Sequence, residues 1–204
     1  MEIDRALNQI EQIHDHLARG EVVRDWRWGP VSLTGVLALA AGALQSALIG
    51  PEPTGPAFLV YWLGLAALAA LVGGAAVVKS YLAQPSAWAR RQTRIVLAQF
   101  APTVAVATLL TVSFAGAGAA GIGRLPALWA LVMGLGTFAA RPYLPRAIGW
   151  AGLYYLLAGG LLLAFADRSF AFLGWGMALA FGPPQILAGL VFHWNLERHG
   201  GPRA

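Results

Sequence analysis

The chain has 204 residues, of which 58% are hydrophobic and only 11% are charged, and its mean hydropathy is +0.62. Soluble domains carry about 25% charged residues, so this composition excludes an ordinary soluble domain and predicts an all-α, polytopic transmembrane bundle lodged in a lipid bilayer. The absence of cysteine excludes disulfides and cysteine-ligated metals, and the net charge of +5 does not indicate nucleic-acid binding, because the basic residues flank apolar segments.

Residues 2–19 are predicted to form an amphipathic helix on the cytoplasmic side. Its apolar face consists of residues at helical spacing, namely Ile3, Leu7, Ile10, His14 and Leu17. Four acidic residues against two arginines give the segment a negative charge, which an anionic membrane surface repels. We therefore expect the apolar face to contact protein, either the chain's own loops, a second copy in a homo-oligomer, or a cytoplasmic partner.

Six apolar segments follow, at residues 30–49, 57–78, 95–114, 126–140, 147–165 and 170–196. Residues 79–94 are predicted to form a long polar loop, and the Gly/Ala-rich residues 116–123 a flexible connection. We divide the chain into residues 1–28, the cytoplasmic helix with a basic-aromatic anchor, residues 29–196, a six-helix transmembrane domain, and residues 197–204, a cytoplasmic tail.

Lysine and arginine are distributed unevenly between the two ends of these segments. Of the 14 basic residues, only Arg124 and Arg168 fall on the side opposite to the N-terminal arm. The positive-inside rule therefore predicts that both termini are cytoplasmic. Most tryptophans, Trp62 and Trp129 among them, are predicted to lie at segment ends in an aromatic belt.

Small residues recur four positions apart in three segments, at Ala66, Ala70 and Gly74, at Ala130 and Gly134, and at Ala178 and Gly182. This spacing lets helix backbones approach closely. The alternative explanation is the high overall content of glycine and alanine.

Prolines interrupt the third and sixth segments. Pro102 comes three residues after Gln99, and Pro183 and Pro184 are followed directly by Gln185. A proline inside a helix frees a backbone carbonyl, so the two interruptions with their amides could line a small polar cavity that binds a ligand. The alternative is that each glutamine bonds a neighbouring helix or a freed carbonyl and binds nothing.

The histidines lie near the cytoplasmic ends. His14 belongs to the apolar face described above, and His193 and Glu197 are one turn apart at the end of the sixth segment. A metal site needs three or more converging ligands, so these residues are weak candidates, and a helix end anchored at the interface is the alternative. No histidine falls in the middle of a segment, which disfavours a bis-histidine haem, and we expect no cofactor.

Residues 53–166 contain neither aspartate nor glutamate. Proton-coupled transport, cation pathways and most hydrolytic sites need an embedded carboxylate or a histidine relay. We therefore expect no catalytic residue and a protein that is not an enzyme. Three functions stay open: assembly or partner contact through the N-terminal helix, a small transporter or channel for a neutral or anionic solute or a lipid with its site between segments three and six, and histidine-based metal or haem binding.

Several stretches resemble those of an uncharacterised bacterial family of six-helix integral membrane proteins, namely residues 13–22, 128–130, 134–136, 144–147 and 194–198. The resemblance implies a six-helix fold in the bacterial inner (plasma) membrane. It brings no activity, ligand or catalytic residue. The preference for arginine over lysine, with much alanine, leucine and glycine, is typical of GC-rich bacteria.

Overall fold

The computed structural model of the chain describes residues 28–83, 87–165 and 174–197. These residues form six α-helices and no β-strand: α1 (Trp28–Ile49), α2 (Gly55–Ala83), α3 (Ala87–Ala115), α4 (Gly118–Ala140), α5 (Ile148–Ala164) and α6 (Gly174–Glu197), with a short 3-10 helix at Arg141–Tyr143. Five helices are long and apolar enough to cross a membrane, whereas α5 is apolar and shorter, at 17 residues. The predicted helical membrane bundle is confirmed at this level. The predicted helix at residues 2–19 lies outside the described residues.

Two predicted connections are shorter than the sequence suggests. The prediction of a flexible connection at residues 116–123 is wrong, because α4 begins at Gly118. Gly118 has a φ of 69°, a left-handed conformation that glycine adopts without strain, and the helix formers Ala119 and Ala120 continue the helix. The predicted loop at residues 79–94 is also mostly helical, since α2 continues to Ala83 and α3 begins at Ala87. Hydropathy marks the apolar part of a helix and misses its polar or small-residue ends.

The six helices follow one another around the bundle in the order α2, α1, α6, α5, α4, α3. The most extensive contact is between α1 and α6, followed by α4 with α5 and α4 with α3. Of the helices that are neighbours in sequence, α2 and α3 contact each other least. The bundle is therefore tightly joined everywhere except between these two helices.

Glycines allow α1 and α6 to pack backbone against backbone. A Cβ on Gly35 would lie 2.6 Å from the carbonyl oxygen of Gly182, which is too close for any side chain. Three such approaches form what we name the α1–α6 seam: Gly35 with Gly182, Gly42 with Gly174, and Ser32 with Gly189. The predicted small-residue pair of Ala178 and Gly182 belongs to this seam, and Ala178 is fully buried.

The other two small-residue patterns have different surroundings. A Cβ on Gly134 would lie 2.7 Å from Leu156, so this glycine lets α4 approach α5. In contrast, Ala66 and Ala70 are exposed, and nothing lies within 4 Å of a Cβ placed on Gly74. The α2 pattern therefore serves no close helix contact among the described residues.

The core lies around α4, of whose 23 residues twelve are buried. Its Ile122, Leu125 and Trp129 pack with residues of α1, α2 and α6 in the main apolar cluster. Helix α2 reaches this cluster only at its start, since all its buried residues fall within its first eight: Gly55, Phe58, Leu59 and Trp62. We call this stretch the α2 anchor. Beyond it, the remaining 21 of the 29 residues of α2 include no buried residue.

Candidate functional site: a cavity between α2 and α3

A cavity of about 680 Å³ lies where α2 and α3 separate. Small-molecule sites typically measure about 300–1,000 Å³. Thirteen lining residues come from α2 and α3, and six of them are exposed: Leu63, Ala66 and Ala70 on α2, and Val104, Thr108 and Val112 on α3. The cavity therefore opens sideways between α2 and α3, in the direction that lipid would occupy around a membrane bundle.

Residues of α1, α4 and α6 close the cavity at its inner end. Its surface carries aromatic rings and thioethers from four helices: Trp62, Phe100, Trp129, Met133, Met177 and Phe181. No charged side chain lines the cavity among the described residues. The lining of the cavity is therefore almost entirely apolar.

Most polar side chains at the cavity already have partners within the bundle. The Trp62 indole N–H donates to Gln45 Oε1 at 2.8 Å, and the Trp129 indole N–H donates to Thr111 Oγ1 at 2.9 Å. The lining hydroxyls of three threonines donate to carbonyl groups of their own helices: Thr34, Thr108 and Thr111. Such satisfied groups offer little to a ligand.

Gln185 is the exception. It lies 11 residues after Gly174 and 12 before Glu197, at the middle of α6, and its side chain lines the cavity. Its Oε1 atom is buried and has no hydrogen-bond partner. Buried polar atoms in native proteins are almost always hydrogen-bonded, so this amide is a candidate ligand contact.

Tyr155 of α5 lies behind Gln185. Its hydroxyl is also buried without a hydrogen-bond partner, although the Gln185 side chain lies beside it. The Tyr155 ring, only 3% exposed, packs against Phe181 with 5.7 Å between ring centroids. The two polar side chains thus lie close together near the middle of α5 and α6, and Gln185 is the one that lines the cavity.

The structure brings segments three and six to one cavity, but through a different face of α3 from the one predicted. Gln99 and Pro102 are exposed, and neither lines the cavity. Their neighbours Phe100 and Thr103 do so instead. Of the five residues predicted to bind a ligand, Gln185 alone lines this cavity, and ligand binding by any of them stays a prediction.

The two prolines of α6 have structural surroundings. Pro184 is fully buried and Pro183 is half-buried. Pro183 lacks the N–H that would bond the carbonyl of Leu179, four residues earlier. The Tyr154 hydroxyl of α5 donates to that carbonyl at 2.9 Å. A tyrosine of a neighbouring helix therefore satisfies the freed carbonyl, whereas the sequence pointed to a glutamine for this role.

The prediction that Trp62 and Trp129 belong to an interfacial belt is wrong. Their rings are 3% and 9% exposed, and both belong to the main apolar cluster. Each indole N–H has an acceptor inside the bundle, which removes the need for an interface. The two acceptors, Gln45 and Thr111, were not identified from the sequence. Each lies on the preceding helix, 17 and 18 residues before its tryptophan.

The metal candidates are not brought together in the part of the chain that the structure describes. The His193 ring packs edge-on against Trp28, with 5.2 Å between ring centroids. His14 and the side chain of Glu197 fall outside that part, and within it no three histidine, cysteine or acidic residues form a group. The predicted partner-contact residues fall outside it as well: Ile3, Leu7, Ile10, His14 and Leu17.

Comparisons with protein-family models, with curated proteins and with solved structures give no match to this chain. The resemblance to bacterial six-helix membrane proteins therefore stays a prediction, and the functional conclusion depends on the cavity.

Proposed function

We propose that the protein is a non-enzymatic integral membrane protein that takes up a neutral, lipid-soluble molecule from the bilayer and holds it in the cavity between α2 and α3. The observation that carries this proposal is the sideways opening with its apolar rim, formed by exposed residues such as Leu63, Val104 and Val112. A molecule that reaches such an opening in a membrane arrives from the lipid phase and not from water.

The lining distinguishes between the solute classes that the sequence left open. An anion would lose its hydration in this cavity and would find no cationic side chain there. Burying an unpaired charge is far more costly than burying an apolar group. A neutral ligand, whether a lipid or a lipid-soluble solute, is therefore favoured over an anion.

We also propose six membrane spans, with both termini in the cytoplasm of a bacterial cell. The unequal distribution of the 14 basic residues supports this orientation. Helix α5, with 17 residues, extends about 26 Å, close to the roughly 30 Å of the hydrocarbon layer. Arg124 is exposed within α4, and a long arginine side chain reaches the interface from that depth. Partner contact through residues 2–19 stays a prediction alongside this proposal.

Photo-crosslinking tests the proposed uptake. The protein in lipid nanodiscs is incubated with a neutral, diazirine-bearing alkyl probe, irradiated, and the labelled residues are mapped by mass spectrometry. We expect labels on the cavity walls. Ala66→Trp and Ala107→Trp place an indole into the cavity and should reduce labelling there about tenfold, as loss of the binding volume requires.

The matched controls are Ala67→Trp and Ala105→Trp. Ala67 and Ala105 are exposed neighbours of the same type that do not line the cavity. Both controls should label the cavity like the wild type. Equal labelling of Ala66→Trp and Ala67→Trp, or a wild type labelled only on its outer surface, would overturn the proposal.

A further inference from the structure

The polar pair at the inner end of the cavity restricts which neutral molecule fits. An amide carries one oxygen that accepts hydrogen bonds and an NH₂ group that donates two. The Tyr155 hydroxyl and Gln185 Oε1 are both buried and unpaired, and the two side chains are adjacent. Since an unpaired polar group is costly in apolar surroundings, a small rotation that joins the hydroxyl to Oε1 removes both penalties.

We propose that Tyr155 holds the Gln185 amide by donating to its oxygen, so that the amide N–H donates to a carbonyl oxygen of the bound molecule, which belongs to the class of alkylated quinones. This inference rests on the proposed function, because it names the ligand class of the same cavity. Gln185 is the ligand contact, and Tyr155 is a positioning residue.

The depth of Gln185 favours this class over ordinary phospholipids. Gln185 lies about 17 Å from the start of α6 and about 18 Å from its end, at 1.5 Å per residue. The ester carbonyls and charged groups of phospholipids stay at the edges of the hydrocarbon layer, whose thickness is about 30 Å. A quinone ring is neutral and carries its carbonyl groups on an apolar frame, so it can bring an acceptor to mid-depth.

The surroundings of Gln185 favour a flat ring over a bare hydrocarbon chain. Phe181 and Trp129 line the cavity with Gln185 and supply aromatic surfaces on which a ring can stack. An alkyl chain without oxygen offers the amide N–H no acceptor. The sideways opening then accommodates the alkyl tail, which can extend between α2 and α3 into lipid.

Competition against the diazirine probe tests the inference with two compounds of similar shape. Decyl-para-benzoquinone has two carbonyl groups, and decylbenzene has none. We expect the wild type to bind the quinone about tenfold more tightly than decylbenzene, the preference that one hydrogen bond confers. Gln185→Leu should bind the two compounds equally, because the donor is lost.

Two further variants separate positioning from folding. Tyr155→Phe keeps the ring and removes the hydroxyl, so the preference for the quinone should fall while binding of decylbenzene is unchanged. Thr137→Val removes a hydroxyl that donates to the carbonyl of Met133, and Thr137 does not line the cavity, so this variant should keep the full preference. In the infrared spectrum, the hydrogen bond should lower the carbonyl stretching frequency of the quinone bound to the wild type. In Gln185→Leu and in Tyr155→Phe this frequency should return to that of the free quinone.

The outcomes distinguish this inference from the proposed function. If the wild type binds both compounds equally, or if Gln185→Leu keeps the preference, the quinone inference is overturned and uptake of neutral molecules stands. If neither compound displaces the probe from the wild type and the probe does not label the cavity walls, both proposals fail.

Discussion

The α1–α6 seam and the cavity between α2 and α3 (the cleft) differ in how closely two apolar helices approach each other. At the seam, glycines bring the two backbones close together, so that a Cβ on Gly35 would meet the Gly182 carbonyl at 2.6 Å. At the cleft, α2 carries small residues too, but no helix packs against Gly74. Small residues therefore permit close packing without enforcing it. What decides the outcome is whether the facing helix presents an equally small surface.

Replacing a seam glycine should have the largest effect. Gly35→Ala places a methyl group against the backbone of α6, which cannot move aside like a flexible side chain. We expect the free energy of unfolding in mixed micelles to fall by about 1–3 kcal/mol, the usual cost of overpacking. The control is Gly64→Ala on α2, where nothing lies within 4 Å of the new Cβ. It should be neutral or slightly stabilising, and equal losses at the two sites would contradict the distinction between seam and cleft.

Removing the acceptor at the α2 anchor should have the next largest effect. Gln45→Leu leaves the buried Trp62 indole N–H without the oxygen that it contacts at 2.8 Å. We expect a loss of about 1–2 kcal/mol in the same unfolding measurement and faster proteolysis of α2. Trp62→Phe combined with Gln45→Leu should cost less than the sum of the single changes, because neither partner is then left unpaired. Strict additivity would show that the bond does not hold the anchor.

The smallest effect concerns the α3 wall of the cleft. Thr111→Val removes the oxygen that accepts the Trp129 indole N–H at 2.9 Å. We expect a loss of about 0.6–1.5 kcal/mol, as for hydrogen bonds between membrane helices. Thr108 is exposed and bonds only within its own helix, so Thr108→Val should leave the unfolding free energy within about 0.5 kcal/mol of the wild type. A larger loss in Thr108→Val than in Thr111→Val would reverse this assignment.

Much of the helical architecture was predictable because apolar length alone marks membrane helices. The first segment, residues 30–49, matches α1 (Trp28–Ile49) closely. The start of α4 was not predicted, because Gly116 and Gly118 resemble a flexible linker. In the structure Gly116 lies in the short turn after α3, and Gly118 already begins α4. The two internal indole bonds were missed because hydropathy gives the depth of a tryptophan along a helix and not the direction in which it points.

The same limitation explains the result at the candidate site. The prolines directed the prediction to the middle of the third and sixth segments, and of the residues named there Gln185 lines a cavity. Gln99 does not, since it is exposed on another face of α3, and the hydropathy of residues 95–114 gives the extent of the segment without its rotation. Phe100 and Thr103 occupy the inner side instead. The sequence does not show which of these three residues faces the cavity, because that depends on where α4 packs against α3.

The α2 anchor has a mechanical consequence. Eight residues fix the helix, and the 21 that follow, residues 63–83, extend about 32 Å beyond them. Because α2 is fixed at one end only, a small tilt at the α2 anchor moves the far end of the helix by a large distance. We expect the width of the opening to follow the lateral pressure and thickness of the surrounding bilayer, so that the composition of the membrane itself regulates how readily the cavity fills.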